Sequence, residues 1–518
     1  MAKTGMLIIT NPSKLNKLIP RIRNEVKNTL YVQFFPPKRP GINNGIFANF
    51  NLTPPLMYSK SVKNLYKSTN DLKKLDVRVL LSAVKDPTVS KINTRQPVEI
   101  VYFDQVLNDD EMKGFITSCI ENKTKNCRTI ALCEPECEQL DETCTDACEI
   151  FNSVVLGGTF DRLHNGHKIL LSEAVLRCKK TLTVGVTDTD MLKTKKLWEL
   201  IQPCSLRMDR VRDFLEDIDP NLEYNIIPIN DMFGPTKDDP TFEMIVVSSE
   251  TVGGGKKVNE LRVSNGLKAL QVLSVELIPD IKLDEEEEDK ISSSNDRLRL
   301  LGTLITQPEP RPHIPSQPYV IGLTGGIASG KSSVCGRLKL LGAGTVDCDK
   351  IAHELYLPGT PIYSQLIEIF GSTIIGDDGI VNRKVLGQMV FNDKTLLEKL
   401  NNLLWPSILE RSKQLSIELF KKGYNVVILE AAILIPAGWH EHCHEVWSCI
   451  IPQEEAIKRL INRNGLSVEE ATSRLHSQPS NVLLVNNANV VFCTLWRPEY
   501  TQKQVEKAWK ELHERISS

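Results

Sequence analysis

At 518 residues the chain is long enough for about three domains of ~150 residues each, and 41% hydrophobic content suffices for ordinary globular cores. Lys+Arg 63 against Asp+Glu 65 gives a net charge of -2, which excludes any global electrostatic attraction to nucleic acid or an anionic membrane, so phosphate binding must be local. No stretch approaches the ~18 apolar residues of a membrane span, the first apolar run is too short for a signal peptide, and the odd count of thirteen cysteines favours reduced thiols. A cytoplasmic location is expected.

Residues 1–150 show helical periodicity over 13–26 and strand-like apolar runs at 30–35, 77–81 and 98–103, which predicts a folded α/β unit without a catalytic motif. A polar stretch from about 122 to 149 separates it from the next apolar run. Cys133, Cys137, Cys144 and Cys148, with Cys119 and Cys127 upstream, are dense enough for four thiolates to hold Zn²⁺, although the spacing is not that of a CxxC pair. A redox-sensitive loop and an uneventful cysteine-rich surface are the alternatives, the last being the simplest.

From 151 to 306, apolar runs at 154–156, 182–186, 224–229, 244–247 and 273–277 alternate with helical stretches such as 168–177, the βα alternation of a parallel sheet. The first run leads into GGTFDRLHNGHK, where Gly157, Gly158 and Gly166 allow tight turns and close backbone approach to a ligand. His164 and His167 precede a predicted helix, so their imidazoles and its free N–H groups converge on a volume suited to a triphosphate. A polar turn with satisfied imidazoles is the plain alternative. Downstream, the acidic run 284–289 reads as a solvated loop face, and Ser292, Ser293, Ser294 and Arg297 sit at a helix start where hydroxyls, N–H groups and a guanidinium can grip phosphates or merely cap the helix.

GGTFDRLHNGHK, together with VGVTDTDMLKTKKLWELIQP, VVSSETVGGGKKVNELR and KISSSNDRLRLLG, resembles the HxGH nucleotidyltransferase superfamily over most of 151–302, and is closest to its eukaryotic phosphopantetheine adenylyltransferase branch. That resemblance implies direct attack of a substrate phosphate on the α-phosphate of ATP, without a covalent enzyme intermediate. It assigns His164 and His167 to the α-phosphate and the transition state, and Thr159 to orienting the nucleophile. Gly157, Gly158 and Phe160 fall to the ATP site, Ser292, Ser293, Ser294 and Arg297 to the β- and γ-phosphates, and Lys193, with Lys195 and Lys196 as rivals, to phosphate contact. A cytidylyltransferase would present much the same HxGH.

Five prolines in QPEPRPHIPSQP, residues 307–318, forbid both helix interior and central strand and predict a semi-rigid linker. Beyond it, 319–518 reads as a second βα unit, with strands predicted at 319–323, 345–347, 425–429 and 445–451. The strand YVIGL leads to TGGIASGKSSV, in which Gly325, Gly330, Lys331 and Ser332 satisfy the P-loop pattern. Backbone N–H groups of Gly326, Ile327, Ala328, Ser329 and Ser333 can then point at phosphates, Lys331 reaches the β- and γ-phosphates, and the Ser332 hydroxyl can ligate Mg²⁺.

Asp347 and Asp349 follow the second strand. Asp347 is the candidate base for a substrate hydroxyl and Asp349 a substrate contact. Arg459 and Arg463 share one helix face, as expected of a lid that neutralises the transferred phosphoryl group, and Arg383 is placed at the substrate's phosphate. His440, His442 and His444 would share one face of a strand and could bind a metal there, but a polar loop is simpler.

GLTGGIASGKSSV, VDCDKIAHELY, GIVNRKVLGQMVF and the 459–463 stretch resemble dephospho-CoA kinase over nearly all of 319–518. The sequence departs from the microbial pattern at Trp405-Pro406, Glu430 and Pro436. Trp405-Pro406 and AGWHEHCHEVW are instead similar to the animal bifunctional coenzyme A synthases. The expected architecture is thus an N-terminal α/β extension (1–150), a Rossmann-like HxGH domain (151–306), the linker (307–318) and a P-loop kinase domain (319–518). The resemblance implies ATP and Mg²⁺ as requirements and 4′-phosphopantetheine and dephospho-CoA as substrates. By the same resemblance residues 1–150 are a regulatory or targeting region, with protein partners and mitochondrial association as expectations. A scaffold with vestigial nucleotide sites is the competing class, and intact His164, His167, Lys331 and Asp347 argue against it.

Overall fold

Three five-stranded sheets, each built of parallel strand pairs, organise the chain. The computed structural model describes residues 1–35, 57–70, 72, 75–86, 89, 91–132, 149–280 and 283–517. They divide into two units, Met1–Asp296 and Arg297–Ser518. Cys133, Cys137, Cys144 and Cys148 lie outside the described residues, while Cys119 and Cys127 are half-buried free thiols.

The first unit holds two sheets. One contains β1 (Ala2–Ile9), β2 (Val26–Phe34), β3 (Asp76–Leu80), β4 (Val98–Phe103) and β5 (Lys123–Ala131) in the order β3-β2-β1-β4-β5. The other contains β6 (Phe151–Gly158), β7 (Cys178–Thr187), β8 (Glu223–Ile229), β9 (Met244–Ser248) and β10 (Gln271–Val275) in the order β10-β9-β6-β7-β8. The helix expected over 13–26 is confined to Leu15–Ile22, because the chain must turn before the β-branched Val26 opens β2. One hydrophobic core runs through both sheets. Leu18, Leu65, Tyr66 and Val79 of the first half belong to the same buried cluster as Leu171, Val175, Phe214 and Ile218 of the second.

In the second unit the order β12-β13-β11-β14-β15 is built from β11 (Tyr319–Gly325), β12 (Gly344–Asp347), β13 (Val426–Glu430), β14 (Glu445–Ile450) and β15 (Val490–Cys493). Strands β13 and β14 are buried along their whole length, as strands covered on both faces of a parallel sheet must be. Register sets Asp347 opposite Glu430, so two carboxylates meet at the C-terminal edge of the sheet. That edge is where open α/β sheets bind ligands.

One further expectation changes and another holds. The segment 284–289 is a folded turn rather than a wholly solvated face: Glu287 is buried and accepts the Leu283 N–H at 3.0 Å, and the Glu288 N–H donates to Asn295 at 2.8 Å. His440, His442 and His444 lie, as the simpler reading has it, in a polar loop that enters the next strand, with a short 3-10 helix, Trp439–His442, within it. They meet the Pro-rich segment: Arg311 donates to the His440 carbonyl, His313 pairs with the Glu441 carbonyl at 2.9 Å, and His444 with that of Pro315 at 3.1 Å. Among the described residues no cluster of metal-ligating side chains stands out, and no helix is long and apolar enough to cross a membrane.

Candidate active sites

In the first unit, β6 ends at Gly158 and the chain makes two left-handed steps, Phe160 (φ 50°) and Arg162 (φ 48°), before the helix Asn165–Arg177 begins. A non-glycine residue at positive φ is strained, and such strain gathers at ligand sites. The turn is held from beneath by Arg207, fully buried, which donates to the carbonyls of Thr159 (2.6 Å), Thr187 (2.9 Å) and Gln202 (2.8 Å). The buried Asp161 carboxylate accepts from Arg162 and from the Gln202 N–H at 3.0 Å.

His164 is the N-cap of this helix. Its Nδ1 accepts the His167 N–H at 3.4 Å, and the Nδ1 of His167 accepts the His164 N–H at 3.5 Å. The two rings stack at 3.8 Å between centroids. With both Nδ1 atoms accepting, the neutral rings carry their protons on Nε2, which makes them hydrogen-bond donors to an oxyanion. Burial drives the His167 pKa down to about 4 even though the Asp161 carboxylate pulls it upward, so this donor stays neutral at physiological pH.

Ser293 joins the same site from the start of the helix Ser293–Leu300, donating to the Asp161 carbonyl at 2.9 Å and lying 3.5 Å from His164 Nε2. Ser292 caps that helix through the Asn295 N–H at 3.2 Å, and Ser294 lies in its first turn. Arg297, on the same helix, is buried. The Thr159 hydroxyl accepts from Thr187 at 3.2 Å. Lys193 is exposed and pairs with Asp190 at 2.7 Å.

In the second unit, Gly325 to Ser333 curl around the N-terminus of the helix Lys331–Leu340 and wall a cleft of about 760 Å³. Gly330 (φ 82°) and Ala328 (φ 61°) supply left-handed steps. A Cβ at Gly325 would meet the Cys449 carbonyl at 2.7 Å, so only glycine fits there. The Ser329 hydroxyl is buried and has no hydrogen-bond partner, an orphaned polar group at the floor of the loop.

Glu430, in the sequence only a departure from a family pattern, is the carboxylate that two P-loop side chains share. Its Oε1 accepts from Lys331 Nζ and from the Ser332 hydroxyl, both at 2.7 Å. Burial works to raise this carboxyl, but the Lys331 ammonium and the hydrogen bonds from Lys331, Ser332 and Cys335 overcome it and hold the pKa below the ordinary value. A carboxylate closing the apolar run VVILE was the signal available.

Asp347 caps the helix Cys348–Leu355, its Oδ1 accepting the N–H groups of Asp349 (3.0 Å) and Lys350 (3.1 Å). Asp349 lines the cleft with Arg459 and Arg463. Arg459 is anchored to the loop: it donates to the Ala328 carbonyl (3.2 Å), to the Thr494 hydroxyl (2.9 Å) and carbonyl (2.6 Å), and to Glu455 (2.8 Å). Arg463 lies one turn on and bonds Asn464 at 3.0 Å. Arg383 opens the helix Arg383–Asn392 and is hydrogen-bonded to His353.

A phosphate-cradling loop between β11 and a helix, with a carboxylate closing the neighbouring strand, defines the second unit as a P-loop phosphotransferase fold. The dephospho-CoA kinase family model matches residues 319–493, and a cytidylyltransferase-like family model matches residues 155–299. A dephospho-CoA kinase of Moorella thermoacetica is 38% identical over 200 residues, which are 38% of this chain and 94% of that protein. One of Dehalococcoides mccartyi is 38% identical over 192 residues, covering 37% of this chain and 96% of that protein. The solved dephospho-CoA kinase from Campylobacter jejuni is 24% identical, covers 38% of this chain and 98% of its own, and has a TM-score of 0.31. Through its second unit the chain belongs to the dephospho-CoA kinase family.

Proposed function

We propose that this chain is a bifunctional enzyme of the last two steps of coenzyme A synthesis. The observation that carries the reading is the succession, on one polypeptide, of a cytidylyltransferase-like region (155–299) and a dephospho-CoA kinase region (319–493), because the product of the first chemistry is the substrate of the second.

In the first reaction a phosphate oxygen of 4′-phosphopantetheine attacks the α-phosphorus of ATP. The bond to the β-phosphate breaks, and dephospho-CoA and pyrophosphate result. The Nε2–H groups of His164 and His167 donate to the α-phosphate as charge builds, Thr159 orients the incoming phosphate, and Ser292, Ser293, Ser294 and Arg297 receive the pyrophosphate. Neutral donors fixed in place cost no reorganisation when the transition state forms. Gly157, Gly158 and Phe160 shape the nucleotide's entry, with Lys193 available to the phosphates once released from Asp190.

In the second reaction the ribose 3′-hydroxyl of dephospho-CoA attacks the γ-phosphorus of a second ATP, its proton passing to Asp347, whose Oδ2 does not serve the helix cap. Lys331 moves from Glu430 to the β- and γ-phosphates, the loop N–H groups cradle them, and Arg459 and Arg463 face the transferred group. Asp349 and Arg383 contact the acceptor. The Ser332 hydroxyl and Glu430 carboxylate are hard oxygen donors side by side, which suits Mg²⁺. When bound, Mg²⁺ supplies charge neutralisation between the β- and γ-phosphates.

The test supplies ATP, Mg²⁺ and 4′-phosphopantetheine and follows pyrophosphate, dephospho-CoA and CoA. Wild type should form all three. His167→Ala should form no dephospho-CoA yet phosphorylate added dephospho-CoA, and Lys331→Ala should accumulate dephospho-CoA. Loss of both steps in either variant sinks the model of two independent sites. Replacement of ATP by CTP with retained first-step turnover would assign the HxGH site to cytidylyl transfer.

A further inference from the structure

The two halves of the first unit repeat one plan. Each runs strand, helix, strand, helix, strand, strand, helix, strand, apart from short 3-10 turns and the one-turn helix Ser82–Lys85, and each sheet has its first strand central, its second and third on one side and its fourth and fifth on the other. The half with β6 carries the HxGH turn after its first strand. The half with β1 carries Asn11-Pro12-Ser13 there, without a histidine. The first half nevertheless touches the catalytic turn of the second.

Asn165, the residue between the two histidines' backbone turns, donates through Nδ2 to the Tyr66 carbonyl at 2.8 Å and to the Thr69 hydroxyl at 3.3 Å. Lys168, directly after His167, is buried, and its ammonium donates to Asp76 at 2.5 Å and to the Val77 carbonyl at 3.0 Å. Tyr66 and Thr69 lie at the end of the helix Met57–Ser68, and Asp76 and Val77 open β3. Thus the residues on either side of the Gly166-His167 pair are both fastened to the histidine-free half. A buried ammonium is kept only where a carboxylate compensates it, and Asp76 is that carboxylate. Farther along the same helix Glu173 takes a hydrogen bond from Ser59 at 2.6 Å, so the fastening continues for two turns.

We propose that the N-terminal half is a structural part of the adenylyl-transfer site: Asn165 and Lys168 are positioning residues through which Tyr66 and Asp76 fix the angle of the HxGH helix, and hence the Nε2–H groups of His164 and His167. The proposal rests on the reading of those histidines as the adenylyl-transfer donors. A displacement of about 1 Å at a reacting centre can cost on the order of 100-fold in rate without abolishing binding. Loosening this fastening therefore lowers turnover more than it weakens ATP.

The experiment uses the full chain and steady-state kinetics of dephospho-CoA formation for wild type, Asn165→Ala and Lys168→Met, with phosphorylation of added dephospho-CoA measured on the same samples. The expected result is a fall in first-step kcat of about 10-fold for Asn165→Ala and about 100-fold for Lys168→Met, with KM for ATP within about two-fold and the second step unchanged. Should Lys168→Met fail to fold, as a drop in its melting temperature would reveal, Asn165→Ala decides alone. An active wild type with Asn165→Ala at wild-type kcat, or with its loss confined to KM, overturns the positioning role. A wild type that makes no dephospho-CoA overturns the adenylyl-transfer reading beneath it.

Discussion

The two nucleotide sites handle charge in opposite ways. At the P-loop, Lys331 and Glu430 form an ion pair at 2.7 Å, and the phosphates of a nucleotide compete with that carboxylate for the lysine. At the HxGH turn the proposed donors are the imidazoles of His164 and His167, stacked on each other and locked by reciprocal backbone hydrogen bonds. The first design suits transfer of a γ-phosphoryl group, where three equatorial oxygens need strong counter-charge. The second suits attack at an α-phosphate already flanked by other anions, where fixed dipoles stabilise the transition state without binding the ground state too tightly.

The contrast is sharpest for Lys331→Ala, which removes the ammonium proposed to follow the phosphoryl group. The kinase step should fall by about 1,000-fold or more while pyrophosphate release continues. A smaller loss, under about ten-fold, would mean that the loop N–H groups carry the site by themselves. His167→Ala should cost about 100- to 1,000-fold in adenylyl transfer, the worth of one oriented donor. Asp347→Asn keeps the helix cap through its amide oxygen but cannot take a proton, so second-step kcat should drop by about 100-fold or more, against about ten-fold for Asp349→Asn. The reverse ranking would move the base to Asp349.

The smallest effect separates a neutral site from a charged one by pH. The folded His167 pKa of about 4 lies below the ordinary 6.5. The unfolded chain therefore takes up a proton first as pH falls, so the stability associated with the neutral ring is complete above about 6.5 and drains away towards 4. Melting curves of the first unit at pH 7.5 and pH 5 should show a larger acid loss in wild type than in His167→Ala, by a few degrees at most. Equal losses would show that His167 is hydrated in the folded protein.

Legibility in the sequence followed the range of the interactions. The P-loop was readable because its chemistry is local: glycines that permit positive φ, a lysine and a hydroxyl within eight residues of contiguous chain. Most buried strands of the second and third sheets announced themselves as apolar runs. Strand β1 was visible only as a short apolar run at the N-terminus, although it is the central strand of its sheet. The partly exposed edge strand β5, KTKNCRTIA, is not legible, because its only apolar residues, Cys127, Ile130 and Ala131, are too few and too irregularly spaced to make an alternating stripe. At the sites, the histidines and serines are legible by type and spacing, whereas Glu430 shows in the sequence only as a departure from a family pattern. The Lys168–Asp76 pair spans 92 residues and Asn165–Tyr66 spans 99, distances at which one sequence offers no periodicity to follow.

The hydrophobic core shared by the two halves of the first unit has a consequence for inheritance of damage. Leu65, Tyr66 and Val79 lie in a region with no nucleotide motif, yet they are packed in one cluster with Leu171 and Val175 of the HxGH helix. A core lesion among them, such as Leu65→Ala at a cost of about 2–5 kcal/mol, would surface as a failure of the first reaction with the second intact. Cells carrying it would starve for dephospho-CoA rather than accumulate it, and supplying that intermediate, not its precursor, would bypass the defect.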